Sequence, residues 1–280
     1  MYTILKKTIL NPSVTRMDIE APRIARKAKA GQFVILRAEA DGERIPLTIA
    51  DYDRENGTVS IIFQIVGATT EKLNHLNEGD CLVDFAGPLG NPTAIAGLKN
   101  VCVIGGGVGC AIALPIVRAL REQGTSVTSI IGFRNRDLVI LEDEFRAASD
   151  TCILMTNDGS CGLQGNVTVP LKEMLESGTR FDEVIAIGPL VMMKYVSLTT
   201  KAYGQKTTVS MNPIMVDGTG MCGGCRLTVG GKMKFACVDG PDFDGHEVDF
   251  DEAISRNQSY MAFERRAREE TCNLFRQEVQ

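Results

Sequence analysis

The chain has 280 residues, 44% of them hydrophobic and 23% charged, with 35 acidic against 30 basic side chains and a formal net charge of -5. That balance excludes nucleic acid as a default partner, since phosphate binding needs a basic face, and the length suits two compact units with a small appendage. No apolar run approaches the roughly 18 residues of a membrane span and no signal-peptide core opens the chain, so neither a membrane nor an exported location is expected.

Residues 1–96 alternate like β-strands at Tyr2–Thr8, Val14–Glu20, Gln32–Ala38, Arg44–Ala50, Thr58–Val66 and Cys81–Ala86. Turn residues at Asn11-Pro12, Asp41-Gly42, Asn56-Gly57 and Glu78-Gly79-Asp80 separate them, which predicts a small antiparallel β-barrel with one helical interruption at Thr70–Leu76. Within it, Arg44-Ile-Pro46-Leu47-Thr48 sets a fixed cation and a hydroxyl either side of a proline, suiting a flavin pyrophosphate and isoalloxazine edge. Gly67-Ala-Thr69-Thr70 opens the short helix, where free amides and two hydroxyls meet the same pyrophosphate. The plainer readings are a solvated Arg44 and a Thr70 that only caps its helix. Gly87-Pro-Leu-Gly90-Asn-Pro92 reads as the linker ending this unit.

Residues 97–206 alternate strand and helix. A buried apolar strand from Asn100 runs into Gly105-Gly106-Gly107-Val-Gly109 and a helix at Ala111–Gln123. Strands follow at Ser126–Gly132, Thr151–Thr156 and Glu183–Ile187, with helices at Glu142–Ala148, Thr168–Ser177 and Leu190–Ala202. The pattern predicts a doubly wound, mostly parallel α/β sheet whose ligand lies beyond the carboxyl ends of the strands. Those ends carry Gly105–Gly109, Gly132-Phe-Arg134-Asn135, Asp158-Gly159-Ser160 and Gly188-Pro189, a nucleotide crevice. A purely structural glycine turn would look similar. Asp158 at the adenosine ribose favours NADH over NADPH; the competing readings are a simple turn aspartate, or Arg134 and Arg136 meeting a 2'-phosphate.

Residues 207–250 hold the strongest signal. Asp217-Gly-Thr-Gly-Met-Cys222-Gly-Gly-Cys225 is followed by Cys237, a D-x4-C-x2-C-x11-C spacing. Plant-type 2Fe–2S clusters use C-x4-C-x2-C and a distant cysteine, so a carboxylate stands here in place of the first thiolate. Arg226–Val229 and Lys232–Phe235 read as a hairpin that returns Cys237 to the loop. A zinc knuckle with the same four ligands, or unliganded thiols, are the bland alternatives. The other cysteines among the nine are too few for a disulfide scaffold and point to a reducing, cytoplasmic compartment; Cys81, Cys102, Cys110 and Cys152 are expected in the core, with Cys161 accessible. Residues 251–280 supply a C-terminal helix over Tyr260–Gln277 with the charge run Glu264-Arg-Arg-Ala-Arg-Glu-Glu270, either a solvated face or a docking helix.

Taken over nearly the whole chain, this order resembles the ferredoxin–NADP+ reductase superfamily, and within it the branch of dihydroorotate dehydrogenase electron-transfer subunits. The motifs that carry the resemblance are Arg44–Thr48, Gly87–Gly90, Gly105–Gly109, Asp158–Ser160, Gly188–Met192 and the cluster loop. It implies an FAD-binding barrel at 1–96, an NAD-binding domain at 97–206 and a 2Fe–2S subdomain at 207–250, working as an NAD(P)H-dependent flavin iron–sulfur oxidoreductase subunit with no catalytic side chain. Asp217 departs from the branch's usual cysteine and is similar to the small subunits of electron-bifurcating NADH-dependent reduced ferredoxin:NADP+ oxidoreductases and sulfide dehydrogenases. Ile187 departs too, where the superfamily usually carries a cysteine beside the nicotinamide. No C-x2-C-x2-C-x3-C run occurs, so the chain looks incomplete as an enzyme. The resemblance then implies a larger flavin and 4Fe–4S partner, in a heterodimer or higher assembly that deals with ferredoxin indirectly. A non-enzymatic nucleotide-binding regulator with a structural zinc is the reading from another class.

Overall fold

Alternating side chains put the N-terminal third into strands β1 (Tyr2–Asn11), β2 (Val14–Glu20), β3 (Phe33–Arg37), β4 (Ile45–Asp53), β5 (Thr58–Gln64), β6 (Cys81–Leu82) and β7 (Asp84–Leu89). The structure, a computed structural model, describes the backbone of residues 2–278 and side chains through residue 271. The seven strands pair antiparallel in the order β6-β1-β2-β5-β4-β3-β7. The two edge strands are separated in sequence by Val83 alone, whose N–H donates to the Arg37 carbonyl at 3.1 Å, so the sheet curls into a nearly closed barrel. Six strands were expected. The sixth breaks at Val83, and its second half runs on through Gly87-Pro88 to Leu89, which pairs with Phe33. Half of the expected linker is therefore strand. Helices α1 (Pro22–Ala25) and α2 (Ala68–His75) interrupt the barrel and send Ile24 and Leu73 into its core.

Strand β3 serves two cores. Val34 and Leu36 enter the barrel interior with Ile4, Met17, Ile61 and Phe63, whereas Phe33 and Ile35, on the opposite face, join a second core outside it. That second core is shared with the α/β half of the molecule.

The α/β half comprises β8 (Asn100–Gly106), α3 (Gly109–Glu122), β9 (Ser126–Phe133), α4 (Glu142–Ala148), β10 (Thr151–Thr156), β11 (Leu163–Gln164), α5 (Thr168–Glu176), β12 (Glu183–Ile187), α6 (Leu190–Ala202) and β13 (Thr207–Ser210). The rest of the chain forms the hairpin β14 (Arg226–Val229) and β15 (Lys232–Phe235), then α7 (Ala236–Asp239), β16 (Asp242–Asp244), α8 (Phe250–Gln258) and α9 (Met261–Glu278). The sheet order is β11-β10-β9-β8-β12-β13-β16, parallel except for β16. Chain order reverses direction between β8 and β12, and that switch point is where open α/β sheets bind ligands. Helices α3 and α4 cover one face, and α5 and α6 cover the other. No helix among the described residues is long and apolar enough to cross a membrane.

The stretch 207–250 does not stand apart from the sheet. Strand β13 adds to β12 and β16 to β13, so the hairpin, α7 and the loop before them hang from the sheet edge. The C-terminal segment is two helices rather than one: Asp249 caps α8 by accepting from the Glu252 amide at 2.9 Å, and the chain turns at Ser259 before α9. Cys102 and Cys110 are buried as expected, but Cys81 and Cys152 are only half-buried; Cys272 lies beyond the described side chains.

At the seam between barrel and sheet, the Thr93 hydroxyl donates to Asp242 Oδ2 at 2.6 Å, while Asp242 Oδ1 is buried without a partner. Burial raises the pKa of this carboxyl above its ordinary 3.8, against the Thr93 hydrogen bond. A carboxyl held more tightly by its proton in the folded state favours folding at low pH, and that contribution is lost as pH rises from 3.8 through the raised value. Asp242→Asn should therefore be more stable than the parent chain at pH 8, by about 1–3 kcal/mol in urea unfolding, with the gap narrowing towards pH 5. An Asn variant less stable at pH 8 would contradict this account of the seam.

Candidate functional site

The loop between β13 and β14 brings Asp217 and three cysteines together. Asp217 Oδ2 accepts from the Thr219 amide at 2.9 Å, the Thr219 hydroxyl at 2.5 Å and the Met221 amide at 3.3 Å, which leaves Oδ1 for another partner. The Thr219 hydroxyl is the main reason this carboxyl lies below its usual range, and the Arg44 charge lowers it further. Exposed Cys222 is lowered too, because the amides of Gly224, Asp217 and Val216 point at its sulfur. The sulfurs of buried Cys225 and Cys237 lie 3.3 Å apart, and burial pushes the Cys237 thiol up to about 12. A buried thiol of that kind gives its proton up to a metal more readily than to water.

Among the described residues, no three His, Cys, Asp or Glu side chains converge on one metal position. A zinc knuckle needs four donors around a single ion, whereas a two-iron cluster needs only a pair at each iron. Cys225 and Cys237 make one close pair. Asp217 and Cys222, joined by the Asp217 amide at the Cys222 sulfur, could supply the other two donors. The residues fit a 2Fe–2S cluster. Gly218 presses this loop onto the barrel: its φ is 81°, and a Cβ there would meet Leu89 Cδ1 at 2.8 Å and Ile35 Cδ1 at 3.0 Å.

Beside the loop lies a cavity of about 940 Å³, bounded by Arg44 and Pro46, by the start of α2, by Val216 and Gly224 of the loop, by Leu190 of α6 and by the C-terminal helices. Its volume suits a large ligand. Arg44 is partly exposed, 3.6 Å from Asp84 Oδ2. Pro46 pairs with Ile35, Leu47 packs towards the barrel core, and Thr48 pairs with Phe33. The two threonine hydroxyls of α2 differ from expectation. Thr70 Oγ1 accepts from the Val66 and Gly67 amides, each at 3.0 Å, so it caps the helix, and the Thr69 hydroxyl donates to Glu43 Oε2 at 2.9 Å. What faces outward is the backbone: the first-turn amides of Ala68 and Thr69 have no carbonyl within the helix to bond.

At the switch point, the glycines serve packing first. A Cβ on Gly106 would come within 2.3 Å of Met192 Sδ, and one on Gly109 within 2.5 Å of the Ile187 carbonyl. Gly106 and Gly109 thus let the turn after β8 lie against Gly188-Pro189 after β12, whereas Gly105 makes room for Cys110 of α3 and Gly107 supplies a positive φ of 56° in open space; Leu190 reaches on into the cavity. The loops after β9 and β10 are tied together by Asp158 N–H to the Arg134 carbonyl at 3.3 Å and Arg136 N–H to Ser160 Oγ at 2.8 Å. Asp158 Oδ1 accepts the Ser160 hydroxyl at 2.6 Å and the Ser160 amide at 3.0 Å, turning the chain at Gly159; that hydroxyl chiefly lowers the Asp158 pKa. Arg134 is exposed there. Asn135, at the same strand end, has a buried Oδ1 with no partner. Ile187 is buried, and no thiol takes its position.

A cavity that meets a thiolate loop on one side and the switch point of a nucleotide sheet on another belongs to NAD(P)H-dependent flavin iron–sulfur oxidoreductases of the ferredoxin–NADP+ reductase fold. Residues 212–249 match the iron–sulfur cluster binding domain of dihydroorotate dehydrogenase B. A homologue of the dihydroorotate dehydrogenase B electron transfer subunit from Thermotoga maritima is 46% identical over 257 residues, 92% of this chain and 90% of its own. The electron transfer subunit of that enzyme from Streptococcus pneumoniae is 33% identical over 240 residues, 83% of this chain and 91% of its own. A chain in the structure of an NADH-dependent reduced ferredoxin-NADP oxidoreductase is 44% identical, covering 96% of this chain and 97% of that one, with a TM-score of 0.91. The chain belongs to the family of dihydroorotate dehydrogenase B electron-transfer subunits and their homologues. Its cofactors are FAD, a 2Fe–2S cluster and NAD(H).

Because Gly218 has both a left-handed φ and a contact with no room for a side chain, Gly218→Ala should lift the loop from the barrel. Iron and labile sulfide per chain should fall, with a stability loss of about 1–3 kcal/mol. Full cluster content in the variant would mean that the loop is seated by something else.

Proposed function

We propose that the chain is the small subunit of an electron-bifurcating oxidoreductase that couples NADH, NADP+ and ferredoxin. The observation that carries this reading is Asp217, a carboxylate in a cluster loop where the branch usually has a thiolate. In support, the 44% identical structural neighbour is an NADH-dependent reduced ferredoxin-NADP oxidoreductase. A larger subunit with its own flavin and 4Fe–4S clusters completes the enzyme, because this chain has no cysteine run of its own for exchange with ferredoxin.

Arg44 and the first-turn amides of α2 would hold the flavin pyrophosphate, with Pro46 at the cavity wall and Leu47 and Thr48 following it along β4 towards the isoalloxazine edge. Gly67, Thr69 and Thr70 act through backbone and capping. The turns at Gly105–Gly109 and Gly188-Pro189, with Arg134, Asp158 and Gly159, would hold a dinucleotide beyond the carboxyl ends of the strands, on the side where Leu190 lines the cavity. Asp217, Cys222, Cys225 and Cys237 hold the cluster. A flavin bound here would supply the chemistry that accepts one hydride from NADH and releases its two electrons singly towards an iron–sulfur centre. The chain's own task is to orient these groups and exclude water, and no side chain acts as acid, base or nucleophile.

A second reading, an electron-transfer subunit serving dihydroorotate or sulfide dehydrogenase, is favoured by the relatives' own description. Purification with the native partner decides between them. Ferredoxin-coupled reduction of NADP+ by NADH is expected, and dihydroorotate-dependent NAD+ reduction in its place would overturn the proposal. Metal analysis should return iron with labile sulfide; zinc without sulfide would leave a structural knuckle.

A carboxylate is a harder donor than a thiolate. Asp217→Cys should therefore retain a cluster but change its midpoint potential, and an unchanged potential in a redox titration would remove Asp217 from the ligand set. Arg44→Ala should weaken FAD binding about tenfold, since a charge-assisted phosphate contact is worth about 1.5–3 kcal/mol. Undiminished flavin after dialysis would count against its assigned place.

A further inference from the structure

The C-terminal helices are outside every motif of the cofactor sites, yet they border the same cavity. Arg256 of α8, then Tyr260, Phe263, Glu264 and Ala267, line it opposite Arg44 and the start of α2. The last four are spaced i, i+3, i+4 and i+7: Tyr260 stands just before α9, its carbonyl accepting from the Glu264 amide at 3.0 Å, and the other three continue its face along the helix. The next residues along α9 are a charged run, which would leave a solvated helix no reason to carry two aromatic rings on one side. Tyr260 is 57% exposed and Phe263 74% exposed. Helix α9 is fastened to the segment that presents the α2 amides: Arg268 Nη1 reaches the Val66 carbonyl at 3.5 Å, one residue before the Gly67 cap.

We propose that α9 forms the outer wall of the flavin site, with the Tyr260 and Phe263 rings packing on the adenine of FAD. The inference rests on the flavin reading of the cavity. With the pyrophosphate at the start of α2 and the isoalloxazine turned towards Leu190 and the cluster loop, the adenosine half is left on the side where α9 packs. A flat ring there covers two exposed aromatics and gains stacking that FMN, which lacks the adenosine, does not. The C-terminal segment thereby makes the site selective for the dinucleotide.

The test is equilibrium binding of FAD and FMN to flavin-stripped, cluster-loaded protein, read by flavin fluorescence. Tyr260→Ala with Phe263→Ala should weaken FAD about tenfold and leave FMN unchanged. Phe263→Leu should fall between, because it keeps bulk without a flat ring. Tyr195→Ala, an equally exposed aromatic on α6 away from the cavity, should match the parent chain. FAD affinity within about twofold of the parent in the double variant, or equal losses for FAD and FMN, overturns the proposal. A parent chain that binds no flavin at all would instead bring down the flavin reading on which it rests.

Discussion

Strand β3 is buried on both faces, and the arrangement of all three cofactor regions depends on that. Its inward residues, Val34 and Leu36, are part of the barrel core; its outward residues, Phe33 and Ile35, meet Leu89 and the cluster loop at Gly218. Each such side chain removed from water contributes about 1.5–3 kcal/mol. The strand therefore cannot shift register by one residue without exchanging its two cores, since a one-residue slip sends every side chain to the opposite face. The distance between the flavin cavity and the sulfur donors is set by this one element rather than by a flexible linker. Such rigidity suits electron transfer, which falls off steeply with separation.

The second constraint is electrostatic. Three cysteines and a carboxylate lie in or next to one loop, and like charges in one place would raise each other's pKa unless something compensated. Backbone amides do much of this work at the exposed end, at Cys222 and Asp217. Arg44 contributes a full charge from the barrel, near Asp217 as well as lining the cavity. One guanidinium thus bears on both the loop and the cavity. At the buried end the protein offers less compensation, and Cys237 keeps its proton until a metal displaces it.

Much of this was legible in the sequence, for local reasons. Alternation fixed the barrel strands, the apolar runs fixed the parallel sheet, and D-x4-C-x2-C-x11-C marked the cluster loop because ligand spacing is a short-range property. The misses have long-range causes. Strand β16 is three residues long, and its partner β13 lies far back in sequence, so no periodicity announces it. Leu89 became strand because Phe33 needed a neighbour, not because Gly87-Pro88 favours one. The hydroxyls of Thr69 and Thr70 read as ligand donors, but Glu43 and the helix's own cap claim them first. Helix α8 was readable in principle from Asp249 and Glu252 three residues apart, and it was missed as a helix distinct from α9.

The glycines at the switch point show how packing and binding share residues. Gly109 is required by the Ile187 carbonyl and the Gly188 backbone before any nucleotide is considered, and Gly106 leaves the room that the Met192 thioether fills. A glycine turn read only as a phosphate cradle would mistake a consequence for a cause: the two turns must touch if β8 and β12 are to sit side by side, and at the start of α3 the Cys110 and Ala111 amides already bond to the Gly107 and Val108 carbonyls. At α2, the capping by Thr70 frees the first-turn amides to face outward. In this chain the cofactor-binding backbone is produced by the interlocking of helix starts with their neighbours. Substitutions there should change stability and affinity together, whereas side chains that only border the cavity can change affinity alone.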